Sequence, residues 1–564
     1  MEVIILSMAV YWLILLFIWW RINSGLGMLS EVVKELSGFM MEKALGPGAT
    51  LVEGREASAA KVWMFTGAIW SFVGASLLFI EKWLHHSPAA MNSFESWGWI
   101  ASTSSLYLAG QIALVFGGLG AFLIAGSLHV LPRMSNISLA SEVNAHLMAF
   151  VWSIAISLHV AVSQFTTELA GLLGFVSFAL LTVVQLAIFV NLLLTISERA
   201  APLAAPQWFI ILGHGSYFAA LGSFIILGPA VASTTFWMMF QQMTSGFVLG
   251  TSFGLALYAV SRTTQRPIWS GSLVGVALFM TFATTTPLGF DVANGAFAAF
   301  TFGVMNLGVT LPILGDVSRI AFALFMSLSL IPAIAMSGNL IATLRRNPVA
   351  ATTSPGLPLI GLGAFMLPIM TAGSLFGVVD IFGGSGELIG IIGSLHSISL
   401  ITVITPLILG SMICLYPDII GRTPDFSAGK ASWVYWGILV GGVGGGAVLL
   451  MGDFAMAAYI EAGATEMNST VVKDLMMFGS ILYYGFVLAM LANALSMVRG
   501  AFKGTAAGEA PMVDSSGGPQ RYIVSGNTSV RDLLTAGVSL DTVLVTEEQD
   551  ESSGGATLLI DEEE

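Results

Sequence analysis

Charge is scarce in this chain. Only 9% of its 564 residues are Asp, Glu, Lys or Arg, against roughly a quarter in a soluble domain, and that shortage excludes a soluble globular protein. Cys414 is the single cysteine, so neither a disulfide within the chain nor a thiolate metal cluster can be built, and the redox compartment stays unread. Imidazole is short as well, with seven histidines in all. A basic footprint is missing: 20 Lys and Arg face 33 Asp and Glu, for a formal net charge of −13, and nucleic acid is not expected as a partner. The alternating segments of about ten residues that mark an outer-membrane barrel are also absent.

What is there is apolar. Hydrophobic residues make up 56% of the chain and the mean hydropathy is +0.86. They gather in long runs, and about 20 helical residues cross a hydrocarbon core of roughly 30 Å. Lipid leaves the backbone no partner but itself, so each run is expected to be a spanning helix. The fold class expected is all-α, a polytopic membrane helix bundle in contact with membrane lipid. The runs fall near 3–20, 61–83, 103–131, 142–163, 169–195, 206–231, 240–261, 269–288, 318–343, 357–382, 388–415, 433–460 and 474–498. The first has no basic n-region and no small-residue cleavage site, and it ends on Trp19 and Trp20. It is expected to be an anchor and not a signal peptide.

The positive-inside rule orients these runs. Arg21, Lys34, Lys43, Arg55, Lys61, Arg133, Arg199, Arg262, Arg266, Arg345, Arg346, Arg422, Lys430, Arg499 and Lys503 can share one side, leaving Lys82, Arg319 and Lys473 opposite. The N-terminus is then outside and the C-terminal tail cytoplasmic. This requires that 291–314 makes no crossing, and its glycines, Pro312 and Asp316 suit a re-entrant or surface-lying element. Three regions are expected: an anchor and cytoplasmic loop over 1–60, a membrane domain over 61–503, and an acidic tail over 504–564 of disordered composition.

Residues 388–422 carry Gly393-Ser394-Leu395-His396-Ser397, then an apolar helix, then Pro417-Asp418-Ile419-Ile420-Gly421-Arg422. This resembles the tenth core helix of the catalytic subunit of haem-copper oxygen reductases (cytochrome c oxidase subunit I), above all the cbb-type branch. Met336-Ser337-Gly338-Asn339-Leu340 and Leu344-Arg345-Arg346-Asn347-Pro348 are similar to its eighth helix and following loop. Looser likeness lies in Gly67-Ala68-Ile69-Trp70-Ser71-Phe72-Val73-Gly74, in Phe236-Trp237-Met238-Met239-Phe240 with Gly246-Phe247, and in Lys473 to Arg499. The likeness runs in order over 61–500 and implies a twelve-helix core plus one extra N-terminal span.

The resemblance also implies six histidine ligands for two haems and a copper, and five are missing. The second-helix haem ligand falls at Ala109, the sixth-helix copper ligand at Gln242, the copper pair in Thr284-Thr285-Thr286-Pro287, and the high-spin haem ligand at Ser394. A family glutamate associated with proton supply falls at Ala372. Alanine has no ligand atom, and amide and hydroxyl oxygens suit neither haem iron nor redox copper. Copper is therefore not expected.

His396 alone remains at a ligand position. One b-type haem is the most the resemblance leaves, with His396 as axial ligand; the topology, and no motif, offers His159 near the same outer surface as its partner, and the other reading of His396 is a hydrogen-bonded core residue. His85 and His86 read as a solvated loop pair and His146 as interfacial. His129 falls toward the inner half. His214, set between Gly213 and Gly215, is an intramembrane ionisable group and so a functional candidate, against the reading of a buried neutral imidazole. Asp453 and Asp380 are candidates for a proton path, with Glu461 beside them.

The function expected is a non-catalytic membrane subunit of a respiratory electron-transport complex in a prokaryotic plasma membrane, with other respiratory subunits as partners. Two alternatives stand: a haem-binding oxidase or electron-transfer subunit with displaced ligands, and a cofactor-free polytopic transporter, whose site would lie at a broken helix near 291–314.

Overall fold

The computed structural model describes residues 3–25, 58–87, 103–164, 170–199, 202–227, 232–288, 324–378, 398–423, 428–462 and 470–504, with four single positions at 89, 90, 92 and 96. Among them there is no β-strand, and the protein is an all-α polytopic membrane bundle. The helices are α1 (Val3–Ser24), α2 (Ser58–His86), α3 (Thr103–Ile112 and Ala121–Ser135), α4 (Glu142–Gln164), α5 (Ala170–Ser197), α6 (Ala205–Leu227) and α7 (Ala232–Met243 and Thr251–Thr264). They continue with α8 (Gly271–Ala283), α9 (Leu330–Arg345), the short α10 (Pro348–Thr353), α11 (Leu357–Val378), α12 (Thr405–Ile420), α13 (Ala428–Trp436 and Gly445–Glu461) and α14 (Thr470–Lys503).

Twelve described helices are long and apolar enough to cross a membrane. The thirteenth expected run, near 269–288, is different. Its helix α8 has 13 residues, about 20 Å at 1.5 Å per residue, and so falls short of the roughly 30 Å core. Thr284 leaves the helix in an extended conformation, because Pro287 would set its ring against the carbonyl of Ala283 in a continued helix. The non-helical backbone beyond α8 is buried, as membrane depth demands. Thr285 N–H donates to Phe325 O (3.4 Å), Thr286 N–H to Ser245 Oγ (3.2 Å) and Leu288 N–H to Thr286 Oγ1 (3.2 Å).

Three helices form the centre. The spans of α3 and α7 are wholly buried and that of α12 nearly so, whereas the surrounding helices each show a face to lipid. A helix apolar on all sides belongs in a core. Each of the three carries a π-helical stretch, Ala113–Gly120 in α3, Thr244–Gly250 in α7 and Leu400–Ile404 opening α12, and Gly437–Gly444 interrupts α13. Extra residues of this kind re-aim side chains and recur at functional sites.

Close contacts between helices run through glycine. A Cβ on Gly441 would overlap the backbone N of Phe486, and one on Gly74 the backbone N of Leu114, so α13 meets α14, and α2 meets α3, backbone to backbone.

Side-chain amides and carboxylates clamp one end of the bundle. Glu142 Oε2 accepts from Ala59 N–H (2.8 Å) at the start of α2, where a carboxylate also meets the positive end of the helix dipole. Asn191 holds both backbone groups of Ser141 (3.0 and 2.7 Å), and Asn339 does the same for Ser270 (3.3 and 2.7 Å). Asn347 Nδ2 donates to Thr264 O at 2.9 Å. Arg199 Nη2 donates to Ile22 O at 3.1 Å, a last-turn carbonyl of α1, and partial burial lowers the pKa of its guanidinium. Trp269 bonds Thr343 at this end while Thr285 bonds Phe325 at the other, so α8 and α9 run antiparallel. That fits a connection without a net crossing; 291–314 itself lies outside the described residues.

Candidate functional site

The structure brings Gln242, set by the resemblance at a copper-ligand position, together with Thr285, one residue of the stretch 284–287 in which it sets the copper pair. Gln242 lies on α7 just before its π-helical stretch, and Thr285 lies in the extended segment after α8. Gln242 Nε2 is 3.1 Å and Thr285 Oγ1 3.3 Å from one atom, Met8 Sδ of α1, and all three side chains are buried. Ser223 Oγ of α6, which donates to Ala220 O at 2.8 Å, lies 3.4 Å from Gln242 Oε1. The anchor helix, which stands outside the resemblance, thus closes the junction.

The chemistry of this donor set does not fit a copper centre. Gln242 presents N–H and Thr285 presents O–H to the sulfur, so two of the three groups offer protons where a metal needs lone pairs. The one soft ligand atom, Met8 Sδ, already accepts both. Ala109, at the haem-ligand position of α3, is buried and has no donor atom. Among the described residues no three His, Cys, Asp or Glu side chains come together as metal ligands.

Beside the junction lies a cavity of about 10 Å³, room for roughly one water. Leu249, Phe253, Pro332 and Ala333 line it together with six hydroxyl-bearing residues, Ser245, Thr281, Thr284, Thr286, Ser329 and Thr371. The hydroxyl-bearing residues come from the π-helical stretch of α7, the end of α8 and the segment after it, the residue before α9, and α11. Sequence order separates them widely, and α8 ends beside this space, with Thr284 extended.

The predicted histidines fare differently. His396 lies outside the described residues. His159 is buried in α4, with Nδ1 3.3 Å from Ser177 Oγ of α5; that hydroxyl gives its proton to Ala155 O (2.8 Å), so it accepts from His159. The ring therefore faces α5. The main neighbours of α4 are α2, α3 and α5, not the α12 that His396 precedes, and this arrangement lends the pairing of His159 with His396 no support.

His214 is fully tied. Its Nδ1 accepts from Gln185 Nε2 (2.8 Å), and its Nε2 donates to Ser127 Oγ (3.0 Å), whose own proton goes to Leu123 O (2.7 Å). A neutral imidazole with both nitrogens satisfied joins α6 to α5 and α3, which favours the core reading of this residue. His146 Nδ1 sits 2.9 Å from Glu142 O at the start of α4. Asp453 is half-buried on α13, while Asp380 lies outside the described residues, so the proposed proton path is not traced by them.

Two polar features are not singled out by the sequence reading. Glu81, 3% exposed near the end of α2, lies 3.1 Å from Lys82 Nζ, and that ammonium stands 5.4 Å over the ring of Tyr107. An acid and a base in the last turns of an apolar run are a readable signal. The second is the ion pair of Arg262 with Asp418, for which no sequence spacing gives a hint.

No protein-family model matches this chain, and no curated protein matches it at a significant level; what stands established is a multi-pass helical membrane protein with a neutral polar junction at its centre.

Proposed function

We propose that this chain is a membrane subunit on the plan of haem-copper oxygen reductase subunit I, nearest the cbb branch, and that it serves a respiratory complex as a non-catalytic partner or scaffold. One observation carries the reading. Motif order alone sets Gln242 at one copper-ligand position and the copper pair within Thr284-Thr285-Thr286-Pro287, on separate elements, and Gln242 and Thr285 of that stretch meet at a single atom. A chance likeness of apolar helices gives no reason for that meeting. Because the groups that meet are hydrogen-bond donors packed on a thioether, the junction is suited to holding α1, α7 and the segment after α8 together, and not to oxygen chemistry. In this reading the protein lies in a prokaryotic plasma membrane with its N-terminus outside, and carries at most one b-type haem, on His396.

A transport reading is the second, and a separate observation favours it: helix α8 breaks at Thr284 beside a small cavity to which six hydroxyl-bearing residues contribute, and broken membrane helices are where transporters place their sites.

The deciding experiment is a reduced-minus-oxidised optical spectrum with pyridine haemochrome and copper analysis on the purified chain, together with cross-linking in native membranes. The subunit reading expects no copper, at most one haem per chain, and cross-links to respiratory subunits. Two haems with copper would overturn it. A cofactor-free chain without such cross-links, but with solute flux in liposomes, would pass the case to transport.

A further inference from the structure

Several buried polar groups of the central helices are bonded within the chain. His214 has both nitrogens tied, and on α7 Ser252 Oγ donates to Leu249 O and Thr264 Oγ1 to Val260 O, each at 2.7 Å. Another set is not. Both ring nitrogens of His129 on α3, and the hydroxyls of Tyr258 and Ser261 on α7, meet no hydrogen-bond partner among the described residues, although all three residues are at most 2% exposed. A polar atom taken out of water is costly unless a hydrogen bond replaces the one it lost. Four such atoms at one place mark groups whose partner lies outside the chain.

The helix register puts these atoms at one level. Ser127 of α3 meets His214 of α6 and Ser135 meets Gln207 (3.0 and 2.7 Å), so α3 and α6 are antiparallel. A Cβ on Gly213 of α6 would overlap Thr251 Oγ1, and one on Gly254 of α7 would overlap Pro206 O, so α6 and α7 are antiparallel too. Helices α3 and α7 therefore run the same way. They touch where a Cβ on Gly126 would overlap the side chain of Leu255. Three residues along each helix, on the same faces, stand His129 and Tyr258, and one turn further Arg133 and Arg262. The electrostatics agree: Arg133 and Arg262 act on His129, and Asp418, Arg262 and Arg133 act on Tyr258.

Neutral imidazole, phenol and alcohol groups each donate and accept, and so does water. The guanidinium groups oppose a cation here and the Asp418 carboxylate opposes an anion, which leaves a neutral ligand. We infer that α3 and α7 hold a buried hydration site at this level, in which bound water bridges His129, Tyr258 and Ser261 and reaches the partly exposed pair of Arg262 with Asp418. A buried water makes about three hydrogen bonds, and three side chains offer them. Through such water the ring N–H proton of His129 exchanges with solvent at the arginine-rich end, each proton given up being replaced by one taken in. The site rests on its unpartnered groups alone and stands whether or not the subunit reading does.

Full-length protein in lipid nanodiscs, exposed to brief X-ray radiolysis in isotopically labelled water and read by mass spectrometry, tests the site. Hydroxyl radicals form from water in place, so a buried side chain is oxidised only where water lies beside it. Tyr258 and His129 are expected to take up label. Trp152 and His214, as deeply buried but bonded to Phe116 O and to Gln185 and Ser127, are expected to stay unmodified. Tyr258→Phe should abolish most of the labelling of His129. Absence of label at either Tyr258 or His129 in the wild-type protein would overturn the inference. Equal label at all four residues would overturn it as well, because the water would not belong to this site. So would a folded Tyr258→Phe protein that keeps the full labelling of His129. If that variant fails to fold, the wild-type pattern and Ser261→Ala, expected to lose label at Tyr258, decide the matter.

Discussion

Arg262 and Asp418 form a two-point ion pair between α7 and α12, with Nε to Oδ2 at 2.9 Å, Nη2 to Oδ1 at 3.0 Å, and both side chains only 12% exposed. The planar guanidinium matches the carboxylate in a way that lysine cannot. Removing one charge leaves the other nearly dry. Asp418→Asn is expected to destabilise the bundle by about 2–3 kcal/mol, and Arg262→Lys by less. Thermal unfolding in detergent checks this, and the double variant Arg262→Met with Asp418→Leu should recover most of the loss. An Asp418→Asn protein that melts with the wild type would refute a structural role for the pair.

Much of the fold was legible because hydrocarbon thickness dictates both the length and the polarity of a span. The run near 269–288 shows the limit of that rule: apolar content continues to Ala283, but Thr284-Thr285-Thr286-Pro287 stops the helix inside the bundle. Motif order pointed to Gln242 and to the stretch Thr284-Thr285-Thr286-Pro287. Nothing in the sequence could add Met8, since no spacing rule ties a residue of the first helix to one after the eighth. The pairing of Arg262 with Asp418 was hidden for the same reason. Glu81, by contrast, lies beside Lys82 in an apolar run, which is a local signal.

Glycines divide into those that are needed and those that are not. At Gly441 a methyl group would overlap the backbone of α14, whereas at Gly338 in α9 and Gly373 in α11 nothing lies within 4 Å of the added carbon. Gly441→Ala should therefore force α13 and α14 apart and destabilise by about 1–3 kcal/mol. Gly338→Ala and Gly373→Ala should be neutral or stabilising by up to about 1 kcal/mol through helix propensity. Unfolding midpoints of the three variants check the contrast; equal losses in all three would count against the close approach.

The ring of His214 has no spare lone pair, because Gln185 and Ser127 take both nitrogens. His214→Phe should leave Gln185 with an unpaired buried amide and destabilise by about 1–3 kcal/mol, without any change in the optical spectrum or haem content of the purified protein. A lost absorption band in this variant, at normal folding, would make His214 a cofactor ligand and remove it from the core.

Side-chain clamps gather at one end of the bundle, and the proposed orientation puts that end in the cytoplasm. Asn347 reaches Thr264 O, Arg262 reaches Asp418, and Arg422 Nη1 reaches Gly504 O at 3.1 Å. These contacts bring Arg262, Arg346 and Arg422 to the same level, the arrangement that the positive-inside rule associates with the cytoplasmic face. Thr352 on α10 lies exposed at that end, and Ala462, exposed at the far end of α13, at the other. In a Cys414→Ala background, Thr352→Cys should resist a membrane-impermeant maleimide in intact cells and react once the cells are opened. Ala462→Cys should react in both. The opposite pattern would invert the whole bundle and place the clamped, arginine-rich end outside, against the charge rule that assigns it.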